Sequence, residues 1–253
     1  MSRILYWDIE TAPLLAHVWQ AKTEYIGSHA FVHDTFMLSW AAKYNDRKTI
    51  RSGVLSSHEA RSQDDIRIVS DLADVLRDAD IVVGHNIARF DVPKLNSRLL
   101  LNDLEPLGPL RMVDTLQLAR RSFKLVSNKL DYLAQMLGVG SKISTSFDLW
   151  LRCYHGDDKA LREMARYNRG DVKIQEAVYE ALLPHVRGLP RTADPDSGDD
   201  RRCPHCATDS LVKRGFYHTN ASTFQRWYCQ QCRRYTRSRQ AEKHAKFSTV
   251  PVS

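Results

Sequence analysis

Two groups of side chains in this sequence have types and spacings that could do chemistry. The first is acidic. Asp8 and Glu10 stand two residues apart in the apolar run "ILYWDIET". Side chains at i and i+2 leave the same face of a strand, so both carboxylates would point one way. A buried carboxylate is costly unless it is paired, protonated or bound to a metal. Asp91 follows "GHNIARF", just past a short apolar run, and Tyr167 and Asp171 stand four apart in "YNRGD". On a helix that spacing shares one face, with Gly170 expected to loosen or bend the turn. Four acids converging from three elements repel one another and survive only with cations among them. Hard oxygen ligands select Mg²⁺ or Mn²⁺. Two such ions about 4 Å apart would clamp a scissile phosphate and activate water for in-line attack. Each piece alone is commonplace, since a D-x-E on a strand is more often a salt-bridged or edge feature. Order, spacing and context carry the reading.

The second group is thiol. Four of the five cysteines form C-x2-C-x22-C-x2-C: Cys203 and Cys206 in "CPHC", Cys229 and Cys232 in "CQQC". That pattern suits one tetrahedral Zn²⁺ held by four thiolates, a closed and therefore structural site. His205 and His218 could substitute as ligands, although four thiolates suffice. A redox CxxC would need one reactive pair beside a βαβ unit, whereas here two pairs flank a hairpin, "SLVKRGFYH" and "STFQRWYC" around "TNAS". Cys153 reads as a small buried hydrophobe.

The elements that must position these groups follow from periodicity. Strand-like runs rich in β-branched and aromatic residues occupy 3–11, 35–43 and 48–54. "DDIRIVSDLADVLRDAD" sets Ile66, Val69, Leu72 and Leu76 at helical spacing. "IVVGHN" reads as a short buried strand and is followed by a helix over about 90–101. "RMVDTLQLA" reads as a strand running into a helix, and "LDYLAQMLG" as a short helix stopped by Gly138. Two helices, at 159–167 and 171–185, complete the domain. Three strands and then strand–helix alternation give an α/β class with a mixed sheet flanked by helices. The expected organisation is a domain over 1–187, a Pro/Gly/Asp/Ser-rich linker over 188–200, a β zinc ribbon over 201–240 and a frayed tail over 241–253.

Charge sharpens the functional class. The net charge is +7, yet residues 201–247 hold eleven Lys/Arg against two acids and the rest of the chain is slightly acidic. A basic module on a near-neutral body implies a polyanionic partner. Lys213, Arg214, Arg226, Arg233, Arg234, Arg237 and Arg239 are interleaved with Phe216, Tyr217, Trp227 and Tyr235. Basic residues that track phosphates and aromatics that stack bases suit single-stranded nucleic acid. Phe216 and Trp227 could instead pack the small core, and the ribbon could instead contact protein. No apolar stretch approaches the roughly 20 residues that span a bilayer, and the N-terminus lacks a signal peptide's apolar region. The expected compartment is cytoplasmic, or nuclear in a eukaryotic cell, with no membrane partner.

Taken together, "DIET" at 8–11, "GHNIARFD" at 84–91 and "YNRGD" at 167–171 resemble the three exonuclease motifs of the Tyr-containing DEDD 3′→5′ exonucleases, which are DnaQ-like members of the ribonuclease H-like superfamily. The resemblance is nearest to stand-alone relatives of the proofreading domain of family B DNA polymerases and covers about residues 1–185. "VDTLQLAR" and "KLDYLAQMLG" fit it more weakly. The resemblance implies a ribonuclease H-like fold. It also implies two Mg²⁺ or Mn²⁺ held by Asp8, Glu10, Asp91 and Asp171, with Asp8 bridging both. Tyr167 would orient the attacking water, and the products would be nucleoside 5′-monophosphates. Thr11 and Leu14 would lie by the terminal nucleotide. Asn86 would contact nucleic acid or cap the following helix, Phe90 would pack the core, and His85 would be a hydrogen-bonded loop residue. DNA is preferred to RNA on this resemblance alone. A polymerase, repair or recombination protein is the expected partner. An exoribonuclease of the same superfamily, or a non-catalytic nucleic-acid-binding protein, are the alternatives.

Overall fold

A computed structural model of the chain describes residues 2–20, 22–192 and 202–244. Most of the expected linker (193–200) and tail (245–253) therefore lies outside the described residues, as does Arg201. The described residues divide into two compact units: Arg3–Tyr179, and the residues from Glu180 onward with Ser2.

In chain order the strands are β1 (Ile4–Thr11), β2 (Leu15–Ala16), β3 (Phe31–His33), β4 (Met37–Tyr44), β5 (Arg51–Val54), β6 (Ile81–Gly84), β7 (Met112–Asp114), β8 (Leu211–His218), β9 (Ser222–Cys229), β10 (Tyr235–Arg237) and β11 (Lys243–His244). The helices are α1 (Ser57–Ser62), α2 (Ile66–Arg77), α3 (Asp91–Leu101), α4 (Thr115–Ser122), α5 (Leu130–Met136), α6 (Phe147–Tyr154) and α7 (Asp158–Leu182).

The first unit is built on a five-stranded mixed sheet in the order β5-β4-β1-β6-β7. β1 is central. It pairs antiparallel with β4 and parallel with β6. Its alternation sorts its side chains. Leu5, Trp7 and Ile9 are almost fully buried and join Ile68, Val69, Leu72 and Leu76 of α2 in one core. The even-numbered residues leave by the opposite face, where Tyr6 meets Tyr179 of α7 edge-on at 5.8 Å. Asp8 and Glu10 follow Tyr6 on that face. The architecture is the mixed α/β sheet flanked by helices that the element order implies.

The structure departs from the expected elements in one instructive place. The helices expected at 159–167 and 171–185 are one continuous helix, α7, of 25 residues. An interior glycine costs about 1 kcal/mol relative to alanine, and here packing outweighs it. A Cβ on Gly170 would stand 3.2 Å from Ile143 Cδ1, so the bare backbone admits the 141–146 segment against the helix rather than bending it. Two short helices escaped the periodicity reading. One of them, α1, opens on a capping box in which Ser56 and Glu59 satisfy each other's backbone N–H groups.

In the second unit β9 is paired on both edges, by β8 along one and by β10 and β11 along the other. The expected hairpin is present, and β10 and β11 extend it. No helix among the described residues is long and apolar enough to cross a membrane.

Candidate metal centres

The acidic group assembles at the carboxyl end of β1. Ligand oxygens of Asp8, Glu10 and Asp171 all lie within 4.8 Å of one another. Asp8 and Glu10 come from one strand face, and Asp171 comes from the middle of α7. Asp91 stands outside that trio among the described residues. It is the first residue of α3, buried, and its Oδ1 accepts the Ile9 N–H at 3.2 Å. A carboxylate there also faces the positive end of the helix dipole.

Electrostatics sets the group apart from an ordinary acidic patch. Burial, then Asp91, Glu10 and Asp171, hold the Asp8 carboxyl well above the usual range. Burial and Asp171 push Glu10 up to about 8. Burial pushes Asp91 up to about 7, against the pull of the Ile9 N–H. Asp171 is raised by burial, with Lys142 opposing. Buried carboxylates that repel one another resist ionisation, and a cation relieves both penalties.

The supporting side chains come from three segments, and two of them lie outside every motif. Lys142 donates from Nζ to Asp171 Oδ2 at 2.6 Å and stands 3.5 Å from the Tyr167 hydroxyl. Asn168 Nδ2 donates to Asp8 Oδ2 at 2.7 Å, and Trp150 Nε1 donates to Glu10 Oε2 at 3.2 Å. Trp150 also meets the Tyr167 ring edge-on at 5.7 Å. Asn168 carried a readable signal, since it lies three before Asp171 on the same helix. Lys142 and Trp150 carried none, because both reach the site only through tertiary packing. Two buried oxygens here, Asp171 Oδ1 and Asn168 Oδ1, have no hydrogen-bond donor. Orphan acceptors beside clustered carboxylates are what a divalent cation with oxygen ligands would complete, so the residues fit Mg²⁺ or Mn²⁺.

Asp114 is a further residue the sequence reading passed over. It accepts the backbone N–H groups of Asn86 at 3.0 Å and Ala88 at 3.2 Å, and also those of Leu116 and Gln117 at the start of α4. One carboxylate thereby ties the "GHNIARFD" loop to the next element. Asn86 sits in left-handed backbone, φ 72°. It does not cap α3, whose N-cap position is Phe90. Phe90 itself, expected in the core, is exposed. His85 is the expected hydrogen-bonded loop residue. His85 Nδ1 is hydrogen-bonded with Thr115 Oγ1 at 2.9 Å, and Thr115 Oγ1 lies 3.1 Å from Gly84 O. Burial lowers its pKa to about 4 and keeps the ring neutral. Thr11 follows a register shift at the end of β1. With Pro13, Phe147 and Trp150 it lines a cavity of about 430 Å³. Leu14 is half-exposed nearby in sequence and does not line it.

The thiol group is assembled differently. All four Sγ atoms lie within 4.8 Å of one another, with Cys203–Cys232 and Cys206–Cys229 at 3.6 Å. Zn–S bonds of about 2.3 Å put tetrahedral corners about 3.8 Å apart, so the spacing fits one Zn²⁺. The two C-x2-C turns are local copies of each other. The residue after each second cysteine, Ala207 and Arg233, is left-handed with φ near 59° and 58°. Neither His205 nor His218 joins the cluster. Cys153 is fully buried, and burial pushes its thiol up to about 12, which leaves it inert. In the ribbon, Arg234 is buried, while Lys213, Arg214, Arg226 and Arg233 are exposed and Trp227 is half-buried. Phe216, offered as a core residue, is exposed.

Comparison with known proteins agrees with this architecture. The sequence model of the RNase_H superfamily matches residues 5–183. Among solved structures, the family B DNA polymerase from the hyperthermophilic archaeon Pyrobaculum calidifontis is similar with a TM-score of 0.54 and 19% identity. The match covers 73% of this chain and 25% of that one. At that identity the likeness is one of fold, and the matched region spans a quarter of the polymerase's length. No curated protein matches the chain.

Proposed function

The chain belongs to the RNase_H superfamily, and from that premise we propose that it is a metal-dependent 3′→5′ exonuclease. It releases nucleoside 5′-monophosphates from single-stranded DNA ends. The observation that carries this reading is the convergence of Asp8, Glu10 and Asp171 within 4.8 Å, with Asp91 close enough to raise the Asp8 pKa. These four would hold two Mg²⁺ or Mn²⁺. When bound, such cations neutralise a scissile phosphate and supply a hydroxide-like nucleophile at neutral pH.

The chain's own residues then have distinct tasks. Burial and Asp171 push the Tyr167 phenol up to about 12, so at neutral pH it keeps its proton. It orients an attacking water by hydrogen bonding and takes no proton from it. Lys142 offsets part of the Asp171 charge. Trp150 fixes the Glu10 carboxylate through its indole N–H and presents its ring to the adjacent cavity. That cavity's aromatic and apolar walls, Pro13, Phe147 and Trp150, suit a nucleobase next to the reacting phosphate, with Thr11 at its edge. Asn86, on the loop tied down by Asp114, would meet the strand.

The four cysteines hold one structural Zn²⁺, and the ribbon contributes basic contacts from Lys213, Arg214, Arg226, Arg233 and Arg234, with Trp227. One similar solved structure is a DNA polymerase, which favours DNA. A polymerase or repair protein would then be a partner in trans.

The test is digestion of 5′-labelled single-stranded DNA and RNA of matched sequence with Mn²⁺. The expected result is a ladder shortening one nucleotide at a time from the 3′ end of the DNA, absent in Asp8→Ala. Internal cuts before end shortening, or the same products from Asp8→Ala, would sink the assignment. Preferential loss of RNA would make it an exoribonuclease.

A further inference from the structure

We infer that one face of the ribbon sheet is a binding site for a single, extended nucleic-acid strand, built from Tyr217, Phe224, Arg226, Tyr235 and Arg237. This deepens the nuclease reading by naming a polymer contact on the second unit, made of residues other than the acidic group. It is tested by binding rather than turnover.

Register defines the face. Tyr217 is paired with Phe224, Arg237 with Arg226, and Tyr235 with Tyr228. Residues directly opposite on neighbouring strands share a face, and β9 alternates. Phe224, Arg226 and Tyr228 therefore lie on one side with their partners. Lys213, Phe216, Trp227 and Thr236 lie on the other. Side-chain contacts agree. Arg237 lies over Phe224 at 3.9 Å and over Tyr217 at 5.7 Å, and Arg226 lies over Tyr235 at 5.5 Å.

Two features of this face work against stability and point to an anion. Arg226 and Arg237 are direct cross-strand partners, a like-charge pairing that weakens a sheet. Neither is in any ion pair among the described residues. Their guanidiniums instead donate to the backbone carbonyls of Arg214 and Ser238. Arg234 is buried beside them, also without a carboxylate, and its Nε has no partner. Residues 202–244 hold nine Lys/Arg and two acids. Tyr217, Arg226, Arg234, Tyr235 and Arg237 line one cavity of about 640 Å³. The face thus combines cations lacking counter-charges with rings left open, Tyr217 at 47% and Tyr235 at 56% exposure.

Spacing selects the form of the polyanion. Successive same-face residues on an antiparallel strand are about 6.8 Å apart. A nucleotide strand inside a duplex rises about 3.4 Å per residue, with its base faces already stacked. Only an unstacked, extended strand offers one base face per ring. Guanidiniums held over rings serve the same polymer, contacting phosphates while the rings stack bases. A second copy of this face would meet it with like charge.

The test uses the full-length chain in an Asp171→Asn background, so that the strand survives, with zinc content measured on every variant. Fluorescence anisotropy follows a twelve-nucleotide oligothymidylate. Tyr217→Ala with Tyr235→Ala should weaken binding at least about tenfold. Arg226→Ala with Arg237→Ala should weaken it and reduce the slope of log affinity against log salt by about 1.4. Lys243→Ala, an exposed cation paired with Thr223 on the opposite face, should change affinity by no more than about twofold. Undiminished binding by the face variants with zinc retained would overturn the inference. So would equal affinity for a hairpin duplex. Displacement of the oligonucleotide by poly-glutamate at equal charge would mark the face as a site for acidic protein segments instead. Because the background is catalytically impaired throughout, these results are independent of whether the parent chain digests DNA.

Discussion

The acidic group and the thiol group each gather side chains of one kind at one point, but they rest on different foundations. The carboxylates come from β1, α3 and α7 and are held by a large core, with Lys142, Asn168 and Trp150 bonded to them. The cysteines come from two copies of one short turn at the base of a small sheet whose strands are mostly half-exposed or exposed. A group held by a core can keep its geometry without an ion, at an electrostatic cost. A group held by two turns has little besides the ion to hold it.

The largest expected effect follows from this. Removing zinc with a chelator, or by Cys229→Ser, should abolish amide-exchange protection across 202–244 and leave that of 3–179 unchanged. Structural zinc in small modules contributes on the order of 10 kcal/mol, more than so short a segment can replace. Persistent protection in the zinc-free ribbon would break the comparison.

The acidic group should behave in the opposite way. Glu10 is pushed from 4.5 to about 8 in the folded chain, first by burial and then by Asp171. A carboxylate whose folded pKa lies above its unfolded value binds its proton more tightly when folded. Stability is therefore greatest below the unfolded value and falls as pH rises through about 8. In chelator the Arg3–Tyr179 unit should lose stability between about pH 5 and pH 8, and Asp8→Asn should lose less. At pH 8 the variant should melt at least about 2 °C above the parent while digesting no DNA. Added Mn²⁺ should raise the parent's melting temperature more than the variant's. Parallel pH profiles for the two proteins would show that the carboxylates are not crowded in solution.

A smaller change sharpens the contrast. Trp150→Phe keeps a ring at the cavity and deletes the N–H bonded to Glu10. Partners of metal ligands are typically worth about 10- to 100-fold in metal affinity or activity. The Mn²⁺ concentration for half-maximal digestion should rise within that range, and zinc content should stay at one per chain. An unchanged Mn²⁺ requirement would mean that Glu10 is positioned by its strand alone.

The residues differ in how far they could be read from the sequence. "DIET", "YNRGD" and the paired C-x2-C turns are local patterns, and their geometry is set by strand pleat, helix repeat and turn. They could be found without a fold. Gly170 was visible as a residue but misread as a helix break. Its reason for being glycine is Ile143, which approaches from a separate segment. Phe90 looked like core by type, and the turn over residues 86–90 leaves it exposed.

What the amino-acid sequence determined by itself was the chemistry available: which oxygens and sulfurs there are, which of them share a strand face or a turn, and where the surplus positive charge sits. Those follow from periods of two and 3.6 residues and from counting. Only the tertiary structure decided that Asp171 meets Asp8, that Lys142, Trp150 and Asp114 serve the site, and which face of the ribbon carries its arginines over rings. Such pairings depend on how sheet and helices pack and on the register between strands, and neither has a short-range signature in the chain.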